Sequence, residues 1–272
     1  MGRSFEYPKK TQNTVKRYAP RGKSRDTEWT ALRRQGTYEL GPIHAVVNSA
    51  RVLHVSFAAP PEEPFPAILP MIGVMGSYEY PSASVDEPLD CYLHGYVSAR
   101  LMRLARDSEK GLPVCIAATK VDGLVLSLTP NSHSYNYRSA VLQGYARPVE
   151  DDTEKVFAME LITNKVLPQR WQHSRIPPDK VEMTSTMILR VRIDTGSGKV
   201  RRGEPHDEEK DLQREDVTRS TWTGVVPLWE TYGEPIPSAT NKVKDVPAYV
   251  SSFVSAESQS NREQALEAAK EQ

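Results

Sequence analysis

The chain is poor in cysteine: among 272 residues only Cys91 and Cys115 occur, both inside strand-like apolar segments, and no Asn-x-Ser/Thr sequon is present. A secreted disulfide framework therefore has no support, and both thiols read as buried, reduced side chains. Net charge is also missing. Thirty-five Lys plus Arg balance 35 Asp plus Glu, so no global field draws the molecule toward nucleic acid or an anionic membrane. Long apolar runs are absent too. The least charged stretch, Phe65 to Tyr78, is interrupted by Pro66 and Pro70 and falls short of the roughly 20 apolar residues that span a bilayer. The first residues lack an apolar signal core, Glu6 stands where a myristoylation signal wants Ser or Thr, and the final Ala-Ala-Lys-Glu-Gln is no peroxisomal tripeptide, so the expected location is the cytoplasm.

Several chemical signatures are missing as well. Gly-Ser-Gly-Lys-Val at 196–200 resembles a phosphate loop, but Ile193 stands where a glycine is needed and Val200 where Ser or Thr is needed. No G-x-G-x-x-G follows a strand, and no G-x-S-x-G occurs, which removes the usual dinucleotide turn and the hydrolase nucleophile elbow. Six histidines (His44, His54, His94, His133, His173 and His206) are scattered without H-E-x-x-H or C-x-x-C, so no metal site is expected, and each alone reads as a satisfied structural histidine.

What is present suffices for a folded domain. At 38% hydrophobic, roughly a hundred apolar side chains can build one sizeable core. Residues 1–36 form a basic arm: positions 1–34 hold ten Lys/Arg against Glu6, Asp26 and Glu28, and Asp26 to Gly36 predicts a short helix. The arm lacks the aromatic interleaving of a single-strand nucleic-acid surface, so it reads as a solvated segment packed on the domain. Residues 37–237 carry the fold, and 238–272 read as a small, polar, helix-prone C-terminal tail. Short β-rich runs cover His44 to Ser49, Arg51 to Ala58, Ala67 to Met75 and Leu89 to Val97. Within the last, Cys91, Leu93 and Gly95 alternate with Tyr92, His94 and Tyr96: one face packs and the other is available to line a site. Ser98 opens a helix that ends before Gly111. Lys120-Val121-Asp122-Gly123 predicts a hairpin turn between two strands. Arg138 to Val149, Thr184 to Asp194 and Thr221 to Leu228 add strands, and Asp151 offers a capping start to a helix through Leu167. Residues 204–216, with seven acids, belong to the surface. So many short strands and so few helices exclude a doubly wound parallel sheet; the expected class is mainly β with a few helices, as a split antiparallel β-barrel.

Two polar segments remain as candidate sites. In His94-Gly95-Tyr96-Val97-Ser98-Ala99-Arg100 a strand runs into a helix, where amide N–H groups, the Ser98 hydroxyl and the Arg100 guanidinium can converge on a phosphate; a plain serine cap with a solvated arginine is the alternative. Asn131 to Ser139 holds nine residues with no aliphatic side chain between two strands. It reads either as a ligand-binding segment or as a well hydrogen-bonded loop.

PAILPMIGVM, DCYLHGYVSARLMRL, VDGLVLSLTPNSHSYNYRSAVLQGYARPVED, TGSGKVRRGEPHDEEKD and WTGVVPL occur in one order along 37–237. In that order and spacing they resemble the flavin-nucleotide-binding proteins related to pyridoxamine 5'-phosphate oxidase, the group that includes nitroimidazole-resistance proteins. Ser127-Leu128-Thr129 departs from the Ala-Arg-Ser common in that family, which removes a ligand contact near position 128. The resemblance implies an FMN-binding split β-barrel, usually a homodimer with flavin near the subunit interface. By it, Pro70, Met71 and Ile72 lie along the flavin ring, and His94, Gly95, Ser98 and Arg100 receive the phosphate. Asn136, Tyr137, Arg138 and Ser139 complete the polar pocket, while Lys199 and Trp222 reach the site from the C-terminal side. The implied activity is hydride transfer between flavin N5 and a small-molecule substrate or NAD(P)H. No catalytic acid or base is assigned; His94, His133 and Tyr137 are the titratable groups expected nearest the pocket. Related split barrels also bind haem, for which His94 would be an axial ligand, and a non-redox use of the pocket is the third reading.

Overall fold

The computed structural model describes residues 16–18, 36–59 and 62–270; the helix expected over 26–36 lies outside them. Along the first half run β1 (Gly36–Thr37), α1 (Leu40–Ser49), β2 (Leu53–Phe57), β3 (Ala67–Met71), β4 (Gly73–Gly76), β5 (Asp90–Tyr96), α2 (Arg100–Arg106) and β6 (Leu112–Leu126). Then follow β7 (Ser134–Pro148), α3 (Asp152–Val166), α4 (Lys180–Ser185), β8 (Thr186–Arg201), α5 (Glu209–Leu212), α6 (Glu215–Thr218), β9 (Gly224–Pro227) and α7 (Ala248–Lys270). Hydrogen bonding orders the strands β3-β2-β6-β7-β8-β5-β4, with β1 beside β8 and β9 beside β6. Pro70 sits on β3, at one end of that order, where the N–H it lacks costs least.

The chain divides into two compact units, residues 1–119 with 139–199 and residues 120–138 with 200–272. In the first, alternation along β5 sorts the core. Cys91 and Leu93 face a large cluster with Val47, Leu53, Leu101, Met102 and Leu142, while Tyr92 faces a smaller one with Val74, Ala158, Ile162 and Ile188. Burial pushes the Cys91 thiol up to about 12, so it stays a protonated filler. Three residues of the basic arm dock on this unit: the Tyr18 N–H donates to Tyr38 O at 2.8 Å, and Lys16 pairs with Glu87. The Tyr18 hydroxyl meets His44 Nε2 at 2.7 Å, and His44 Nδ1 lies 2.7 Å from the Val85 carbonyl. A carbonyl only accepts, so Nδ1 carries the proton; burial holds this imidazole neutral by lowering its pKa to about 4.

The second unit holds β9 paired antiparallel with 123–126 of β6, and α7. Residues read from sequence as a tail thus include a 23-residue helix with Ala265 and Ala268 buried.

Two expectations are corrected. The strand predicted over His44 to Ser49 is part of helix α1. Leu40, Ile43 and Val47 recur at helical spacing and are buried, Pro42 falls in the first turn where its missing N–H is harmless, and packing outweighs the β preference of Val46 and Val47. The hairpin predicted at Lys120 to Gly123 does not form, because β6 runs straight through it. The buried face of β6 reads Leu112, Val114, Ile116, Ala118, then Lys120 and Asp122; both charges are held by partners, so Asp-Gly has no reason to turn.

Candidate functional site

The first unit brings together several of the residues singled out in the sequence. At Gly95 the missing side chain lets Met102 pack closely, with Met71 beside it: a Cβ there would lie only 2.5 Å from Met102 Cε and 3.8 Å from Met71 Cε. On the other face of β5, His94 joins Ile72 in a cavity of about 360 Å³ whose remaining walls include Ile162, Val166, Ile188 and Arg170. His94 Nδ1 is buried and has no hydrogen-bond partner, and desolvation lowers the imidazole pKa, so the ring is neutral at physiological pH. A neutral imidazole with an open, buried nitrogen can accept one hydrogen bond from a ligand or bind a metal ion.

The junction after β5 differs from its sequence reading in one detail. Ala99, not Ser98, is the residue before α2, and no side chain caps the helix. Seven residues give α2 little dipole, but Arg100, Arg103 and Arg106 give it charge with no acid. Arg100 reaches Glu63 of the β2–β3 connection at 2.9 Å. Ser139 donates from Oγ to the Lys199 carbonyl at 3.2 Å, so these two predicted residues also meet.

In the second unit Arg138 and Asn136 are engaged by partners of that unit. Arg138 holds Asp122 with two parallel bonds, Nε to Oδ2 and Nη2 to Oδ1, each 2.8 Å, and Asp122 is only 3% exposed. Asn136 is fully buried: its amide nitrogen donates to the carbonyls of Gly203 and Ala268, both at 3.1 Å, and its oxygen accepts from Arg201 at 2.5 Å. These bonds fasten α7, because the Ala268 carbonyl also accepts from the Gly203 N–H at 2.7 Å. His133 Nδ1 accepts from the Ser127 N–H at 2.9 Å, and Ser127 and Thr129 bond back to Ser132, so residues 127–133 form an internally bonded loop, while Ser134 to Ser139 belong to β7. Trp222 is 64% exposed and folds over Gly224, which has a φ of 150°.

Sequence reasoning missed Asp122, Glu63 and Arg201. For Asp122 a signal existed, because period-two alternation from Leu112 puts it on the buried face; for Glu63 there was none. Elsewhere in the first unit a larger cleft of about 1520 Å³ is lined by Arg106, Lys110, Arg147, Arg190 and Arg192 together with Glu109, Glu150, Asp151, Glu154 and Asp194. Among the described residues no group of His, Cys, Asp or Glu is placed to hold a metal ion, and no helix is long and apolar enough to cross a membrane.

Residues 41–200 match the family model described as pyridoxamine 5'-phosphate oxidase, and the chain belongs to that family. Solved structures place the fold with it. The FAD and heme binding protein from Mycobacterium smegmatis aligns with a TM-score of 0.67 at 22% identity, over 81% of this chain and 97% of that one. The flavocytochrome Anf3 from Azotobacter vinelandii aligns with a TM-score of 0.65 at 23% identity, over 84% of this chain and 94% of that one. No curated protein matches the chain. The expected split β-barrel is therefore the fold of this family member, built on a large antiparallel sheet.

Proposed function

We propose that the protein binds FMN and exchanges a hydride between the flavin and a small organic substrate or NAD(P)H, as a cytoplasmic homodimer. One observation carries this reading: the first unit sets Ile72 and His94 in one cavity and Met71 against Gly95, while Arg100 follows five residues later with its guanidinium on a displaceable carboxylate. Apolar walls beside the polar side chains of His94, Thr163 and Arg170 suit a planar ring, and 360 Å³ lies within the usual range for small-ligand cavities, roughly 300–1,000 Å³. Arg100, outside those walls, is assigned the anionic tail. When bound, the flavin supplies the redox chemistry. The chain supplies the rest. Ile72, Ile162 and Ile188 exclude water from the ring, neutral His94 accepts a hydrogen bond at Nδ1, and Arg100 holds the phosphate through charge-assisted bonds. The FAD named for the M. smegmatis protein makes FAD the nearest rival to FMN. For the homodimer, the larger cleft offers five cationic and five anionic side chains, a mixture that suits a self-complementary face.

A second reading has its own support. His94, with a buried nitrogen free of hydrogen bonds in an apolar cavity, would be the residue to hold a haem iron, and both structural neighbours are named for a haem or cytochrome. The visible spectrum of freshly purified protein separates the two. A flavin doublet with FMN released on denaturation, bleached anaerobically by NADH or NADPH, supports the first; a Soret band lost in His94→Ala supports the second. Colourless protein that also fails to take up FMN or haem overturns both and leaves a non-redox use of the pocket.

A further inference from the structure

The contact between Arg100 and Glu63 is close but poorly formed. Its oxygen–nitrogen distance is 2.9 Å, yet Arg100 Nη2 is buried and has no aligned hydrogen bond. A guanidinium normally offers a carboxylate two parallel bonds, as Arg138 does for Asp122, so the Glu63 contact uses charge without geometry. Both partners also remain wet, with side chains 35% and 50% exposed. Glu63 is therefore a counter-ion that another anion can displace at small cost, as solvent-exposed pairs of this kind are weak. The surroundings favour an anion, because α2 adds Arg103 and Arg106 and no acid. The segment carrying Glu63 is also built to hold a fixed course, with Pro64 and Pro66 either side of Phe65, a ring 79% exposed, directly ahead of β3.

We propose that Glu63 is a specificity-determining residue: an internal carboxylate that occupies the anion position on Arg100 and yields it to a phosphate monoester, but not to a carboxylate or a neutral ligand. The charge arithmetic gives the selectivity. A carboxylate replacing Glu63 gains no charge and leaves Glu63 without its partner, whereas a phosphate brings nearly two charges and three acceptor oxygens to the unsatisfied Nη2. Glu63 thus lowers affinity for every anion and lets only the most charged through. The inference rests on the flavin reading for what carries the phosphate, and not for the gate itself.

The test compares the wild type with Glu63→Gln and with Glu62→Gln, the latter removing an equal charge from an exposed neighbour outside the ion pair. Inorganic phosphate is titrated while the Arg100 side-chain Nε–H is followed by NMR, and FMN and riboflavin are titrated in parallel by fluorescence. In Glu63→Gln the phosphate midpoint is expected to fall by about two- to fivefold, and FMN to tighten by a similar factor, with riboflavin and the Glu62→Gln protein unchanged. Equal midpoints in wild type and Glu63→Gln, an equal gain in Glu62→Gln, or no response to phosphate in any of them overturns the gate. If phosphate behaves as expected but FMN binds none of the proteins, the gate stands and the flavin reading falls. If FMN binds wild type and Glu63→Gln equally and phosphate shows no difference, the gate falls and the flavin reading stands.

Discussion

Arg100 and Arg138 enter from sequence as equals, each a guanidinium beside a polar strand segment, yet the two units treat them differently. Arg138 is fixed to Asp122 by two aligned bonds in a nearly dry setting, while Arg100 meets Glu63 once, out of line and half in water. Burial decides the contrast. In a low-dielectric setting an unpaired charge is intolerable, so the pair is obligatory; near solvent the same chemistry is weak and exchangeable. The firmly held arginine and the one proposed to hold a ligand therefore differ in what their carboxylate partners would lose on leaving.

The largest expected effect follows from removing the dry partner. Asp122→Ala leaves the Arg138 guanidinium, its side chain only 17% exposed, without its carboxylate and should lower stability by about 3–5 kcal/mol in urea unfolding. A loss below about 1 kcal/mol would erase the distinction between the two pairs. Asp90 supplies the counter-case inside the first unit. It is buried with Oδ1 unpartnered, and burial, opposed by Arg190 but reinforced by Glu79 and Glu154, pushes its pKa from 3.8 up to about 6. The folded state thus holds the proton more tightly than the unfolded chain. Stability from this group is full below pH 3.8 and is lost as pH rises through about 6, a change of about 3 kcal/mol. Asp90→Asn should accordingly be more stable than the wild type at pH 7 and lose that advantage below pH 4; a constant difference between the two denaturation curves across this window would contradict the assignment.

Asn136 sharpens the contrast with a neutral group. Asn136→Ala strips two donors and one acceptor from the α7 anchor and should cost about 1–3 kcal/mol, with hydrogen exchange accelerating first in the last turn of α7. Uniform acceleration over the whole chain would show that the anchor is not local. The smallest effect belongs to the wet pair: Glu63→Ala should change unfolding free energy by less than about 1 kcal/mol.

Much of the frame was legible in the sequence because it depends on local rules. Asp151 accepts from the N–H groups of Thr153 and Glu154 as a helix cap should, Gly111 has a φ of 87° beyond α2, and β5 alternates as its pattern requires. What escaped depends on partners distant in sequence. Asp122 reads as a turn until Arg138 claims it, and Val46 and Val47 read as a strand until the core receives them as a helix. The docking of α7 needs Asn136 and Ala268, 132 residues apart, and no local pattern announces it. The resemblance supplied Ile72 and His94, which do share a cavity, but gave no hint that the two arginines have such different partners.

Affinity for FMN and for riboflavin in Arg100→Ala tests the account most directly, since the two ligands differ by the phosphate alone. Loss of about ten- to a hundredfold in FMN affinity, with riboflavin binding and unfolding free energy essentially unchanged, is the predicted result. Equal losses for both ligands, or none for either, would contradict the assignment of Arg100 to the phosphate.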